Sequence, residues 1–186
     1  MNLQHINVKI FVDGDMTVDW ESFIDVFHRW VADQSMDEML IDVADYRHVP
    51  NGPGVVLLGH EADYAMDNTG GRAGLRYNCK VARGSSNEER VRHALASSAG
   101  ACLLLEAEFE GLKFSRREFE LTINDRALAP NNDQTLKACS AELPALLRNV
   151  LGASEIDLDY NRDPRCLFGA VVRLGSPFDL ESVAAA

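Results

Sequence analysis

The chain has 186 residues, 46% hydrophobic and 25% charged, a composition typical of globular proteins that excludes a disordered or disulfide-stapled class. Its 29 acidic and 18 basic residues give a formal net charge of −11, which repels a phosphate backbone and excludes DNA and RNA as expected partners. No apolar stretch approaches the roughly 20 residues of a membrane helix and the N-terminus does not resemble a signal peptide, so we expect a cytoplasmic protein with no membrane partner.

The first third of the chain predicts one strand, one helix and two more strands. Alternating apolar residues predict a strand over residues 5–12, and apolar residues at helical spacing predict a helix from Trp20 to Val31. Short strands follow at residues 39–43 and 54–60, and the second is apolar on both faces, which favours an interior place in a sheet.

The middle of the chain predicts a one-sided strand over residues 72–81 and a long helix. That helix begins after a capping box, Ser86 to Glu89, and continues to about residue 107. The last third predicts a strand at residues 117–124, a helix that contains Pro144 and stops at Gly152, and strands at residues 155–160 and 166–174.

The order strand, helix, strand, strand occurs twice, over about residues 5–60 and 117–175, with residues 61–116 as a strand-and-helix insert between the copies. Residues 41–46 resemble residues 156–160, and residues 54–59 resemble residues 169–175. We therefore predict a single α+β domain over residues 1–186 that arose by internal duplication. It has a mixed sheet of about seven strands, helices mainly on one face and two pseudosymmetric β-α-β-β halves.

The stretch from His48 to Tyr64 resembles an uncharacterised bacterial protein family of unknown function. The resemblance covers most of the chain and implies no activity, cofactor or catalytic residue. Candidate sites therefore rest on the chemistry of the residues alone.

The first candidate site is a polar cluster that follows two strands: Asp45, His48, His60, Glu61, Asp63 and Asp67. Imidazoles and carboxylates together can hold a divalent ion. However, strand alternation turns His60 and Glu61 to opposite faces, and a hairpin would separate His48 from His60 by roughly 20 Å. We therefore interpret these residues as structural polar groups, and we predict no metal and no cofactor.

A second candidate is the glycine-rich stretch of residues 68–74, where Arg72 and nearby Arg76 could help to bind an anion. A strand rather than a helix follows it, which favours an ordinary hairpin turn. Both arginines also belong to a basic run that could contact an acidic partner or a second subunit. The alternative is cross-strand pairing with Glu118 and Glu120.

No nucleophile motif is present, and the four cysteines lack zinc-ligand spacing and are expected to be buried thiols. The best hypothesis is a noncatalytic accessory protein that binds through its open sheet face, as a homodimer or with a protein partner. The alternative is a small-molecule or metal-dependent enzyme with a site near His48 and His60. The sequence does not decide whether the protein is an enzyme.

Overall fold

A computed structural model describes residues 2–186 and shows an α+β fold, as the sequence predicts. The strands are β1 (Ile6–Val12), β2 (Leu40–Tyr46), β3 (Gly54–Gly59), β4 (Ala62–Asp67), β5 (Gly74–Cys79), β6 (Phe114–Ile123), β7 (Ile156–Tyr160) and β8 (Phe168–Leu174). The helices are α1 (Ser22–Asp33), α2 (Asn87–Glu108), α3 (Asp133–Leu151) and α4 (Leu180–Ala184).

All eight strands form one open sheet in the order β2-β3-β4-β5-β1-β6-β8-β7, and every neighbouring pair is antiparallel. The expected mixed sheet is corrected to an antiparallel one. The physical reason is that α1 and α3 each carry the chain from a central strand to an edge of the sheet, so neither crossover creates a parallel neighbour.

The expected count of about seven strands becomes eight because β4 lies in the segment that we interpreted as a strand-and-helix insert. Asp63 and Asp67 give β4 the polar character of a loop. Both carboxylates lie on the sheet face without helices and form ion pairs, with Lys80 and Lys9 respectively. Tyr64, between them in the chain, is buried against the helices.

The helices lie mainly on one face of the sheet, as predicted. α1 packs on β2 and β3, α2 packs on β1 and β5, α3 contacts α2 and β7, and α4 contacts α2. Every second residue along the strands faces the helices and joins them in one hydrophobic core, for example Val8, Tyr77 and Phe119. The alternate residues form the opposite, open face.

The predicted helix ends agree with the structure at two positions. Ser86 caps α2 by accepting a hydrogen bond from the Glu89 backbone N–H at 3.2 Å. Gly152 ends α3 in the left-handed conformation, with φ of 64°. Pro144 lies within α3 and does not end it.

The two halves share several features around their last strands. β3 and β8 each lie second from an edge of the sheet. Glu38 precedes β2 and packs against Gly59 at the end of β3, and Glu155 precedes β7 and packs against Gly175 at the end of β8. The halves also differ, because β4 and β5 separate β3 from β1 whereas β8 pairs directly with β6. The pseudosymmetry stays a prediction.

Candidate ligand-binding cleft

A cleft of about 640 Å³ opens on the helical side of the sheet. Phe23 of α1 contacts Phe109, the residue that follows α2, and their ring centroids are 5.0 Å apart. Further along, the segment after α1 and the middle of α2 form its walls, and β4 and β5 form its floor. α1 packs on β2 and β3, and α2 packs on β1 and β5, so the cleft lies over β4 in the gap between the two helices.

Small side chains on α2 create much of this space. The wall of the cleft contains Ala96, Ser97, Gly100 and Ala101. A Cβ atom added to Gly100 would meet no atom within 4 Å. A methyl group at residue 100 would therefore fit without a clash, and a longer side chain there would extend toward the cleft that this residue lines.

Two tyrosines from neighbouring strands form the floor. Tyr64 of β4 pairs directly with Tyr77 of β5, and their ring centroids are 5.3 Å apart in an edge-on arrangement. Burial raises the pKa of both phenols far above the usual value, and the hydrogen bond to Glu38 raises that of Tyr64 further. Both phenols therefore remain protonated at neutral pH.

Glu38 supplies a half-buried carboxylate to the cleft. The Tyr64 hydroxyl donates to its Oε1 at 2.6 Å, and the Ala62 backbone N–H donates to its Oε2 at 2.9 Å. The preceding loop is held by Gln34, whose Oε1 accepts the Leu40 N–H at 3.1 Å and whose Nε2 donates to the Leu40 carbonyl at 2.9 Å. The short chain between these anchors directs Glu38 toward β4.

His93 and Arg83 complete the polar groups of the cleft. His93 on α2 meets the Tyr77 ring edge-on, with centroids 6.2 Å apart. Burial lowers the pKa of His93, and the nearby Arg83 charge lowers it further, so the imidazole is neutral near pH 7. Arg83 follows β5 and forms an ion pair with Glu61.

Of the candidate site residues that the sequence singles out, Glu61 lines this cleft, and so does Arg83 from the basic run. Asp45 instead lies at the far end of β2, where Arg47 Nη2 is 2.9 Å from its Oδ2 and lowers the pKa of the carboxyl to about 2. His48 stacks on Tyr46 at the same end.

The hairpin between β2 and β3 keeps the two histidines of the predicted cluster apart. Tyr46, which precedes His48, pairs with Gly54, and Leu40 pairs with Gly59, which precedes His60. His48 and His60 therefore lie at opposite ends of β3. Across residues 2–186, no group of three or more His, Cys, Asp or Glu side chains is arranged to hold a metal ion.

The remaining predicted residues lie on or beside the open sheet face and are occupied by ion pairs. Asp63 contacts Lys80 at 2.5 Å. Arg72 contacts Glu118 at 2.6 Å, and Arg76 contacts Glu120 at 3.3 Å. The partners are those of the cross-strand alternative, but β5 and β6 are not neighbours, because β1 lies between them. The glycine-rich stretch is a short turn between β4 and β5.

The cysteines need one correction. Cys79, Cys102 and Cys139 are buried, but Cys166 is exposed. We expected Cys166 at the start of a strand that begins at residue 166, whereas β8 begins at Phe168. Cys166 therefore belongs to the loop before the strand, where no core covers its thiol.

Sequence reasoning missed Glu38, Tyr64, Tyr77 and His93 as a group. Tyr64 and Tyr77 meet only because of the register between β4 and β5. The one local signal was the run of small residues from Ala96 to Ala101 in an otherwise long helix.

No protein-family model matches this chain, and no curated protein matches it at a significant level. None of the helices in residues 2–186 has the length and apolar character needed to cross a membrane.

Proposed function

We propose that this protein binds a small organic molecule in the cleft between the loop after α1, β4, β5 and α2. One observation carries the proposal: polar groups from Glu38, Tyr64, Tyr77 and His93 converge in one cleft of about 640 Å³. Ligand sites in proteins are typically cavities of roughly 300–1,000 Å³ with a few polar groups among apolar walls.

The state of the polar groups also supports ligand binding. Tyr64, Tyr77 and His93 all have pKa values shifted mainly by burial, and such groups in a cleft are candidates for a functional site. Buried phenols and a neutral imidazole serve as hydrogen-bonding groups of fixed protonation. This chemistry suits the recognition of a ligand, and we assign the cleft a binding role.

The experiment is a ligand-observed NMR screen of the whole protein against a panel of cationic, neutral and anionic metabolites. Gly100→Leu should place a branched side chain in the cleft and obstruct a ligand. Gly100→Ala is its matched control, because alanine improves helix propensity and adds only a methyl group. We expect at least one compound that binds the wild type and Gly100→Ala but not Gly100→Leu. A panel without binders, or binders that Gly100→Leu leaves unaffected, would refute the proposal.

A second candidate function is self-association, favoured by exposed apolar residues along the edge strand β2 and its flanks. Met39, Ile41, Tyr46 and Val49 are 63%, 54%, 44% and 39% exposed, respectively. The opposite edge, β7, carries the exposed carboxylates of Asp157 and Asp159, which would repel a second copy.

In this second candidate, two copies meet through these side chains and not by continuing the sheet. The ladder is irregular between Leu40 and Asp42, and the Val43 N–H already donates to Asp42 Oδ1 at 2.8 Å. Sedimentation velocity should detect a dimer that Ile41→Lys dissociates, with Leu128→Lys as a control at an exposed residue elsewhere. A wild-type monomer at all concentrations would exclude self-association.

A further inference from the structure

The charges in the cleft are unbalanced. Three carboxylates, Asp37, Glu38 and Glu61, line it together with one guanidinium, that of Arg83. Arg83 is already paired with Glu61. In the part of the chain that the structure describes, Asp37 and Glu38 form no ion pair. The cleft therefore carries negative charge that no side chain neutralises.

Glu38 also has unused hydrogen-bonding capacity. Each of its oxygens accepts one bond, from the Tyr64 hydroxyl or the Ala62 N–H, whereas a carboxylate can accept about four. Partial burial weakens the hydration of this charge, so an N–H donor that carries positive charge would be favourable beside it.

An anionic ligand would find no free cation in the cleft. His93 is neutral near pH 7 because of its lowered pKa, and the protonated phenols of Tyr64 and Tyr77 carry no charge. Asp37 and Glu38 would repel the ligand's charge.

The mouth of the cleft is apolar. Met36 from the loop after α1, Val81 after β5 and Leu104 on α2 all line it. Val81 and Leu104 are large hydrophobic residues left exposed in the free protein. A ligand with an apolar body would cover them and thereby remove apolar surface from water.

From these four features we infer that the ligand is a protonated amine with an apolar body, its ammonium group beside Glu38 and its body against Met36, Val81 and Leu104. This inference rests on the proposed function of the cleft. It adds the chemical class of the ligand, because the aromatic floor and the unpaired carboxylates both favour a cation.

Isothermal titration calorimetry with three probes of similar shape tests the inference: phenethylamine, phenethyl alcohol and phenylacetate. We expect the amine to bind at least about ten-fold more tightly than the alcohol or the carboxylate. Added NaCl should weaken binding of the amine, since part of the attraction is electrostatic.

Substitutions of single carboxylates test which residue attracts the amine. Glu38→Gln should weaken amine binding by about ten-fold or more. Glu155→Gln is the matched control, because Glu155 packs against Gly175 as Glu38 packs against Gly59 but lies outside the cleft. If Glu38→Gln does not fold, as circular dichroism will report, Asp37→Asn changes an exposed residue of the same cleft and should weaken the amine by about three-fold.

The outcomes separate this inference from the proposed function. If the alcohol or the carboxylate binds as tightly as the amine and Gly100→Leu abolishes that binding, the cleft is a ligand site but the amine inference is wrong. The amine inference is also wrong if none of the three probes binds, or if Glu38→Gln and Glu155→Gln affect the amine equally. The broader metabolite panel then decides the proposed function by itself.

Discussion

Replacing Lys9 by methionine would break an ion pair that is buried on the open face of the sheet. Lys9 Nζ lies 2.6 Å from Asp67 Oδ2, and the two side chains are only 1% and 0% exposed. Lys9 also donates to the Thr69 carbonyl at 3.1 Å. Gly74 leaves room for the Lys9 side chain to reach Asp67, because a Cβ at residue 74 would lie 3.1 Å from Lys9 Cε.

Removing one partner of a buried ion pair costs about 3–5 kcal/mol, since the other charge stays buried without compensation. Arg76 Nη2 lies 3.2 Å from the same Asp67 oxygen, so Asp67 keeps one cation in Lys9→Met. We therefore expect Lys9→Met to lower the free energy of unfolding by about 3 kcal/mol. Asp67→Asn should lower it by about 4 kcal/mol, because Lys9 then keeps only the Thr69 carbonyl as a partner. The double variant, with both substitutions, should lose about 2 kcal/mol less unfolding free energy than the sum of the two single losses.

Urea unfolding followed by the fluorescence of Trp20 and Trp30 measures these free energies. Arg92→Met is the control: its partner is Glu88 on the surface of α2, and such a pair contributes about 0.5 kcal/mol. Single losses below about 1 kcal/mol, or an additive double variant, would refute the claim that this pair is buried and coupled.

Three further predictions test other parts of the structure. Gly74→Ala should destabilise the fold by more than about 1 kcal/mol in the same urea assay, because its Cβ would lie 2.6 Å from the Ile10 carbonyl oxygen; an unchanged midpoint would contradict this contact. Burial and Arg83 lower the pKa of folded His93, so the unfolded chain takes up the proton first as the pH falls. The wild type should therefore lose stability relative to His93→Gln as the pH falls below about 6.5, the usual pKa of histidine; parallel pH profiles would contradict it. A thiol reagent should modify Cys166 at once and the other three cysteines only after unfolding, since these are buried; mass spectrometry of peptides reads the result, and early labelling elsewhere would contradict the burial.

Several parts of the fold follow from local rules that the sequence carries. Alternation in β6 separates a buried apolar face from a partly exposed polar face, and the capping box at Ser86 begins α2. We did not predict β4, because Asp63 and Asp67 resemble loop residues until their cationic partners are known. Those partners come from other strands, which local patterns do not reveal.

The candidate site was less predictable than the fold. His48 and His60 were candidate site residues because they are close in the chain and chemically versatile, yet strand pairing holds them at opposite ends of β3. Glu38 and Tyr64 look ordinary in the sequence and meet only because β4 passes beneath the loop after α1. Sites formed by convergence depend on register and helix placement, which a single sequence does not specify.

The most direct test of the inferred amine site in the cleft is a protein-observed NMR titration of the wild type with phenethylamine, alongside the same titration of Gly100→Leu. We predict saturable chemical-shift changes in the wild type at four residues that line the cleft: Tyr64, Tyr77, His93 and Gly100. These changes should be lost in Gly100→Leu. Shift changes confined to the open sheet face or the β2 edge, or none at all at these residues, would contradict it.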